Sequence, residues 1–201
     1  MKNKVFILLA TAIIFASCGP RQESAEETHS PEIASELFTF EHDSFTSFYN
    51  NLKSLCGMSF AGEQTYMLEG RPSWAEFDFK MHVTLCEEDR IHIPFHLSED
   101  HSRTWMFLIE DGRLRFRHDH RYPDGTPEEL TMYGGYSDGT GTPFVQYFPA
   151  DDYTIELLQD TLGRKWAIVL DEALTTMKYQ LSYHGEVVFE GAFDIANPIE
   201  E

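Results

Sequence analysis

His118-Asp119-His120 is the densest run of reactive side chains in this chain, and on a strand both imidazoles would project to one face, as in many His-x-His metal sites. Two ligands do not hold a metal. A third could come from His101 or Asp124, but no strand register fixes either, so the pair reads first as the polar end of a binding surface, with no resident metal or cofactor expected. Buried histidines satisfied by tyrosine hydroxyls or backbone groups are the plainer alternative. An acid/base enzyme using His118 or His120 with Tyr133 is a further one, since a histidine at a pocket mouth can act without any linear motif. Asp119 falls on the opposite face beside Arg117 and Arg121 and reads as a surface ion pair. His82, His92 and His96 alternate with apolar residues on two other strands and read as exposed. One choice of loop register sets His82 opposite His96, and apart from Cys86 nothing acidic or thiol-bearing completes a site there. Nucleophilic catalysis has little support: the chain lacks Gly-x-Ser-x-Gly, a P-loop and a cysteine at an electropositive helix start. Asp138-Gly139-Thr140-Gly141 offers a single carboxylate, too few for calcium, and is a turn.

The histidines must be positioned by Thr104 to Arg121, two alternating runs around Asp111-Gly112. Asp-Gly between such runs predicts a two-residue hairpin loop, because both turn positions need positive φ. That loop sets Glu110 opposite Arg113, Ile109 opposite Leu114, Phe107 opposite Phe116, Trp105 opposite His118 and Arg103 opposite His120. One face is therefore aromatic and becomes polar at the open end of the hairpin. Trp105, Phe107, Leu114 and Phe116 are expected to line a cavity whose polar end is Arg103, His118 and His120, with Tyr133 close by. A cation and two imidazoles on an apolar face need partners, which water and tyrosine or an anionic ligand could supply.

Around the hairpin the chain alternates almost without interruption. Asp43 or Ser44 can cap a helix carrying Phe45, Phe48, Tyr49, Leu52 and Leu55 at helical spacing and ended by Gly57, a stripe read as packing. Strands are predicted over Ser59 to Leu68, Glu76 to Cys86, Arg90 to Leu97, the two arms of the hairpin, Leu130 to Gly135, Thr142 to Phe148, Lys165 to Leu170, Thr176 to Tyr183 and Glu186 to Ile195. Pro94 argues for an edge or a bulge. Asp151 can cap a short helix through Ile155, Leu158 and Leu162, although Tyr153 to Leu157 could also be extended. About ten consecutive antiparallel strands in one domain must close on themselves or pack as a sandwich. Their count and order resemble the calycin superfamily, the up-and-down barrels of lipocalins and fatty-acid-binding proteins. The resemblance is architectural: where lipocalins carry Gly-x-Trp on the first strand, this chain has Gly57-Met58-Ser59. It implies a mainly β barrel preceded by one amphipathic helix. His118-Asp119-His120-Arg121, Asp124-Gly125, Thr131-Met132-Tyr133-Gly134-Gly135 and Phe148-Pro149-Ala150-Asp151 are also similar to stretches in a bacterial group of secreted proteins, a likeness that implies no activity.

Residues 1–17 have Lys2 and Lys4, an apolar run from Val5 to Phe15 and small residues, too short for a spanning helix and typical of a secretory signal. Phe15-Ala16-Ser17-Cys18 resembles a bacterial lipobox, which implies cleavage before Cys18, acylation of its thiol and an outer-membrane lipid anchor at the cell envelope. Residues 18–36 are rich in Glu, Ser and Pro and read as a flexible tether, leaving 37–201 as a single domain. A formal net charge of −19 argues against nucleic-acid partners. In an oxidising compartment Cys56 and Cys86 approach each other if the strand from Ser59 pairs with the strand ending at Cys86. Cys56 precedes its strand, where alternation no longer sets direction, so a disulfide and free thiols both stay open. The expectation for function is a non-enzymatic envelope lipoprotein binding a small apolar or amphipathic ligand. The alternatives are a structural or interaction lipoprotein with a filled barrel and a His-dependent enzyme.

Overall fold

The computed structural model describes residues 43–200. The expected signal segment, Cys18 and tether lie outside the described residues. Helix α1 (Asp43–Lys53) is followed by β1 (Ser59–Met67), β2 (Phe79–His82), β3 (Leu85–Cys86), β4 (Arg90–Leu97), β5 (Asp100–Glu110), β6 (Arg113–His120), β7 (Tyr133–Tyr136) and β8 (Val145–Pro149). Helix α2 (Asp152–Leu158), β9 (Arg164–Leu170), β10 (Thr176–Tyr183) and β11 (Glu186–Asp194) complete it. The strands form one antiparallel sheet in the order β7-β6-β5-β4-β2-β1-β11-β10-β9-β8, with β3 also on β4. Because β1 pairs with β11, the first and last strands meet, and the sheet curls into a nearly closed barrel that agrees with calycin architecture in shape. No helix among the described residues is long and apolar enough to cross a membrane.

The seam lies between β7 and β8, which follow one another in the chain but stand at the two ends of the strand order. No ladder joins them; Asp138 N donates to Tyr147 O at 3.0 Å and Asp151 N to Gly134 O at 3.1 Å. Gly135 sits so close to β8 that a Cβ there would lie 1.8 Å from Pro149 O, so the approach itself requires glycine. Helix α2 covers the seam. Asp151 caps it by accepting from Thr154 N at 3.0 Å, and the Thr154 hydroxyl accepts from Gly134 N at 2.7 Å and donates to Gly134 O at 2.8 Å. The helix therefore buries Thr154; it ends at Leu158, short of the expected Leu162, and Ile155 and Leu162 are exposed. Arg117 is buried under the same cover, ion-paired with Asp151, instead of lying on a wet face.

The strand expected over Glu76 to Cys86 is two short strands, and Phe77, within the expected range, lies outside both and is exposed. At the break Val83 N bonds to Met58 O and not to a ladder partner on β4. Ile93 and Pro94 have no partner on that side of β4, so the missing proline N–H interrupts no ladder. Leu130 to Met132 lie outside β7, and α1 ends at Lys53, before Gly57.

One end of the barrel is closed by α1. Phe45, Phe48, Tyr49, Leu52 and Leu55 are buried, Asn51 Nδ2 donates to Pro143 O at 2.9 Å, and the Tyr49 hydroxyl donates to Glu87 O at 3.1 Å. Cys56 and Cys86 are joined by a disulfide at this end, their Cα atoms 6.1 Å apart. The other end is open.

Candidate functional site

The hairpin that carries the histidines turns at Asp111 and Gly112, with φ of 52° and 73°. Arg103 pairs with His120, Trp105 with His118 and Phe107 with Phe116 across β5 and β6. All face the barrel interior, but at different depths. Phe107 and Phe116 are fully buried toward α1, their rings 4.9 Å apart and each packed on Phe148. They do not reach the open space. Arg103, Trp105, His118, His120 and Tyr133 do, and they form one wall of a cavity of about 290 Å³ at the open end. Trp166, Tyr179, Leu181, Phe189 and Phe193 of β9 to β11 form the facing wall, with Arg164 at its lip. The β1–β2 loop supplies Arg71, Pro72 and Trp74.

These walls are stiff. Trp105 is stacked on both faces, by Phe95 at 4.8 Å and by Tyr179 at 5.0 Å. Tyr133 stacks on His118 at 4.5 Å and lies 5.9 Å from Trp166. All three tryptophans of the chain line the cavity.

The histidine wall is satisfied from within. His118 Nδ1 lies 3.2 Å from Tyr133 O, and a carbonyl can only accept, so this nitrogen carries the proton. Its Nε2, 2.9 Å from the Tyr179 hydroxyl, accepts. Complete burial pushes the His118 pKa down to about 3, with His120 and Arg164 acting in the same direction against the Tyr133 hydrogen bond, so the ring is neutral at physiological pH. His120 Nε2 is 3.0 Å from the Tyr133 hydroxyl, and its pKa is lowered, by burial first and then by Arg103. Burial pushes Tyr133 up to about 12 and Tyr179 well above its usual value, so both phenols keep their protons. Arg103 is ion-paired with Asp100 and lies over the Trp74 ring at 5.8 Å. No buried side-chain donor or acceptor of Arg103, His118, His120 or Tyr133 is left without a partner.

The facing wall differs, and sequence reading did not find it. Trp166 is 1% exposed, and its Nε1 reaches no acceptor. The indole N–H lies near enough to Tyr179 to oppose the rise in that phenol's pKa, but closes no hydrogen bond with it. Two residues earlier on the same face, Arg164 Nε is buried and unbonded. Asp160 is 3.9 Å away, its carboxylate occupied by Leu162 N and Arg164 N at 3.0 Å each. Arg71 and Arg164 each lie 5.1 Å from the centre of the Tyr183 ring. The signal was present: Arg164, Trp166, Ile168 and Leu170 alternate, an apolar face ending in a cation just as the hairpin face does.

No protein-family model, no curated protein and no solved structure matches this chain. His101 belongs to β5 and not to a loop; it stacks on His96 at 3.8 Å, away from His118 and His120. His82, expected exposed, is buried between Ser59, whose hydroxyl is 2.8 Å from Nδ1, and His96, 3.0 Å from Nε2. It is Lys80 that stands opposite His96 in the ladder. Among the described residues no three His, Cys, Asp or Glu side chains converge as a metal site. Asp119 is buried and accepts from Arg121 Nε at 2.7 Å and from the Thr131 hydroxyl at 3.2 Å.

Proposed function

We propose that this chain is a non-enzymatic binding barrel, held at the bacterial cell envelope through an acylated Cys18, that takes a small amphipathic molecule into its open end. The observation that carries the reading is the cavity of about 290 Å³ with aromatic walls and arginines at its lip, in a chain of net charge −19. That volume is at the small end of ligand pockets, roughly 300 to 1,000 Å³, and apolar walls with a few placed polar groups are their usual lining. The closed end of the same barrel is packed with phenylalanine, so an open aromatic mouth is not what a merely filled core would leave. His118 argues for binding over acid/base chemistry, since both of its nitrogens are engaged.

Because every tryptophan borders the cavity, intrinsic emission reports on it alone. Titrating the purified full chain with 2-naphthoate and with neutral 2-naphthamide should quench or shift that emission saturably, and native mass spectrometry should show one equivalent bound. No response to either compound overturns the reading. Labelling with a fatty-acid analogue should mark the wild type and spare Cys18→Ser; equal labelling of both rejects the anchor.

A further inference from the structure

Resting on the binding role proposed above, we infer that the ligand is a compact aromatic monocarboxylate whose acid group is received by Arg164 and Trp166 on β9, and not by Arg103 and the histidines across the cavity.

The two walls differ in which of their donors are already satisfied. Opposite β9, each polar group already has a partner: Arg103 has Asp100, His118 has Tyr133 and Tyr179, and His120 has Tyr133. An incoming carboxylate would compete with bonds already made: Arg103 is ion-paired with Asp100, and the two histidine rings are neutral. On β9 the position is reversed. The Trp166 N–H is withdrawn from water with only the Tyr179 hydroxyl near it and no hydrogen bond of good geometry, and a buried donor left so is unfavourable until something accepts fully from it. The Nε of Arg164 is buried without a hydrogen bond; its side chain is 21% exposed, and its ion pair with the buried side chain of Asp160 is a long one, at 3.9 Å. A planar fork and an N–H two residues apart on one strand face suit a carboxylate, which can accept from both at once.

A single negative charge fits. Asp160 partly offsets Arg164, and Arg71, the other cation at Tyr183, is exposed and solvated. A dianionic phosphate would have to surrender more hydration than one partly buried guanidinium returns. The aromatic body follows from the walls. Trp105 is clamped between Phe95 and Tyr179, so the lining does not deform around a flexible chain, and a cavity of this volume would leave a long acyl tail outside. Ring edges and faces in the lining reward a rigid ring system, which also loses little conformational freedom on binding.

The test compares 2-naphthoate, 2-naphthamide and decanoate by tryptophan emission and calorimetry on the full chain. Wild type should bind naphthoate about tenfold or more tighter than the amide, as a charge-assisted pair does, and tighter than decanoate. Arg164→Gln should remove the preference for acid over amide by weakening the acid far more than the amide, whereas Arg103→Gln should preserve it. Should Arg164→Gln fail to fold, Trp166→Phe, which changes no charge and removes the indole N–H, tests the same wall: it should weaken the acid several-fold, where Arg103→Gln does not. If wild type binds acid and amide equally, if decanoate binds as tightly as naphthoate, or if Arg103→Gln abolishes the preference, this inference is overturned while the binding role stands. If no compound binds, both fall.

Discussion

Toward α1, the rings of Phe48, Phe107, Phe116 and Phe148 meet one another and are fully buried. At the other end Trp74, Trp105, Tyr133 and Trp166 surround open space. Both ends are built from the inward faces of the same strands, and β5 and β6 run through both. The difference is what covers them. Helix α1 inserts its apolar stripe into one end, while the loops at the other stand at the rim and leave the aromatic walls facing each other. Aromatic content alone therefore does not distinguish a core from a binding site; unmet donors and unfilled volume do.

The sharpest way to break this contrast is to truncate a ring at each end. Phe116→Ala should cost about 3 to 5 kcal/mol, the range for a fully buried phenylalanine, measured by urea unfolding. Trp74→Ala, at the partly exposed lip, should cost only about 1 to 2 kcal/mol. Equal costs would mean that the open end is as much a core as the closed one. Next in size is the disulfide, which ties the turn after α1 to β3 at the closed end. For its sequence separation of 30 residues, replacing Cys56 and Cys86 together by serine should lower stability by about 3 to 4 kcal/mol. Naphthoate affinity at the far end should change by less than about twofold, because the two ends share no contact across that distance.

Acid sharpens the comparison from the open end. His118 has its folded pKa pushed down to about 3 from an ordinary 6.5, so the unfolded chain takes up a proton first. This contribution to stability is complete above pH 6.5 and is lost as pH falls from 6.5 toward 3, at about 1.4 kcal/mol per unit. Asp100, held down to about 2 by hydrogen bonds from Ser102 and Arg103 that outweigh its burial, acts in a lower window: its contribution is present above 3.8 and lost below it. Urea midpoints of wild type and His118→Phe at pH 7 and pH 5 should therefore converge as pH falls; parallel lines would place His118 in water. The smallest effect belongs to Arg103→Gln. Its partner Asp100 is 45% exposed, so stability should change by no more than about 1 kcal/mol in thermal melts. A larger loss would make that wall part of the core.

Much of this fold was legible before any coordinates. Alternation identifies which face of each strand is apolar, Asp111-Gly112 names its own turn, and the two-residue loop carries the register that brings Arg103, His118 and His120 together. These follow from the chain alone because a turn and a period of two are local properties. Depth and distance across the barrel are not local. Trp105 and Phe107 share one face of β5, and sequence treats them alike, yet α1 buries one in solid packing while the other borders a cavity. In the same way Thr154 anchors α2 because closure brings Gly134 beside it, and Ile155, the better core residue by type, is left outside. Arg164 and Trp166 become a wall only because β1 pairs with β11 and the sheet curls round to face β6. Their unmet donors exist only relative to partners that closure alone could have delivered, and tertiary structure decided that it did not.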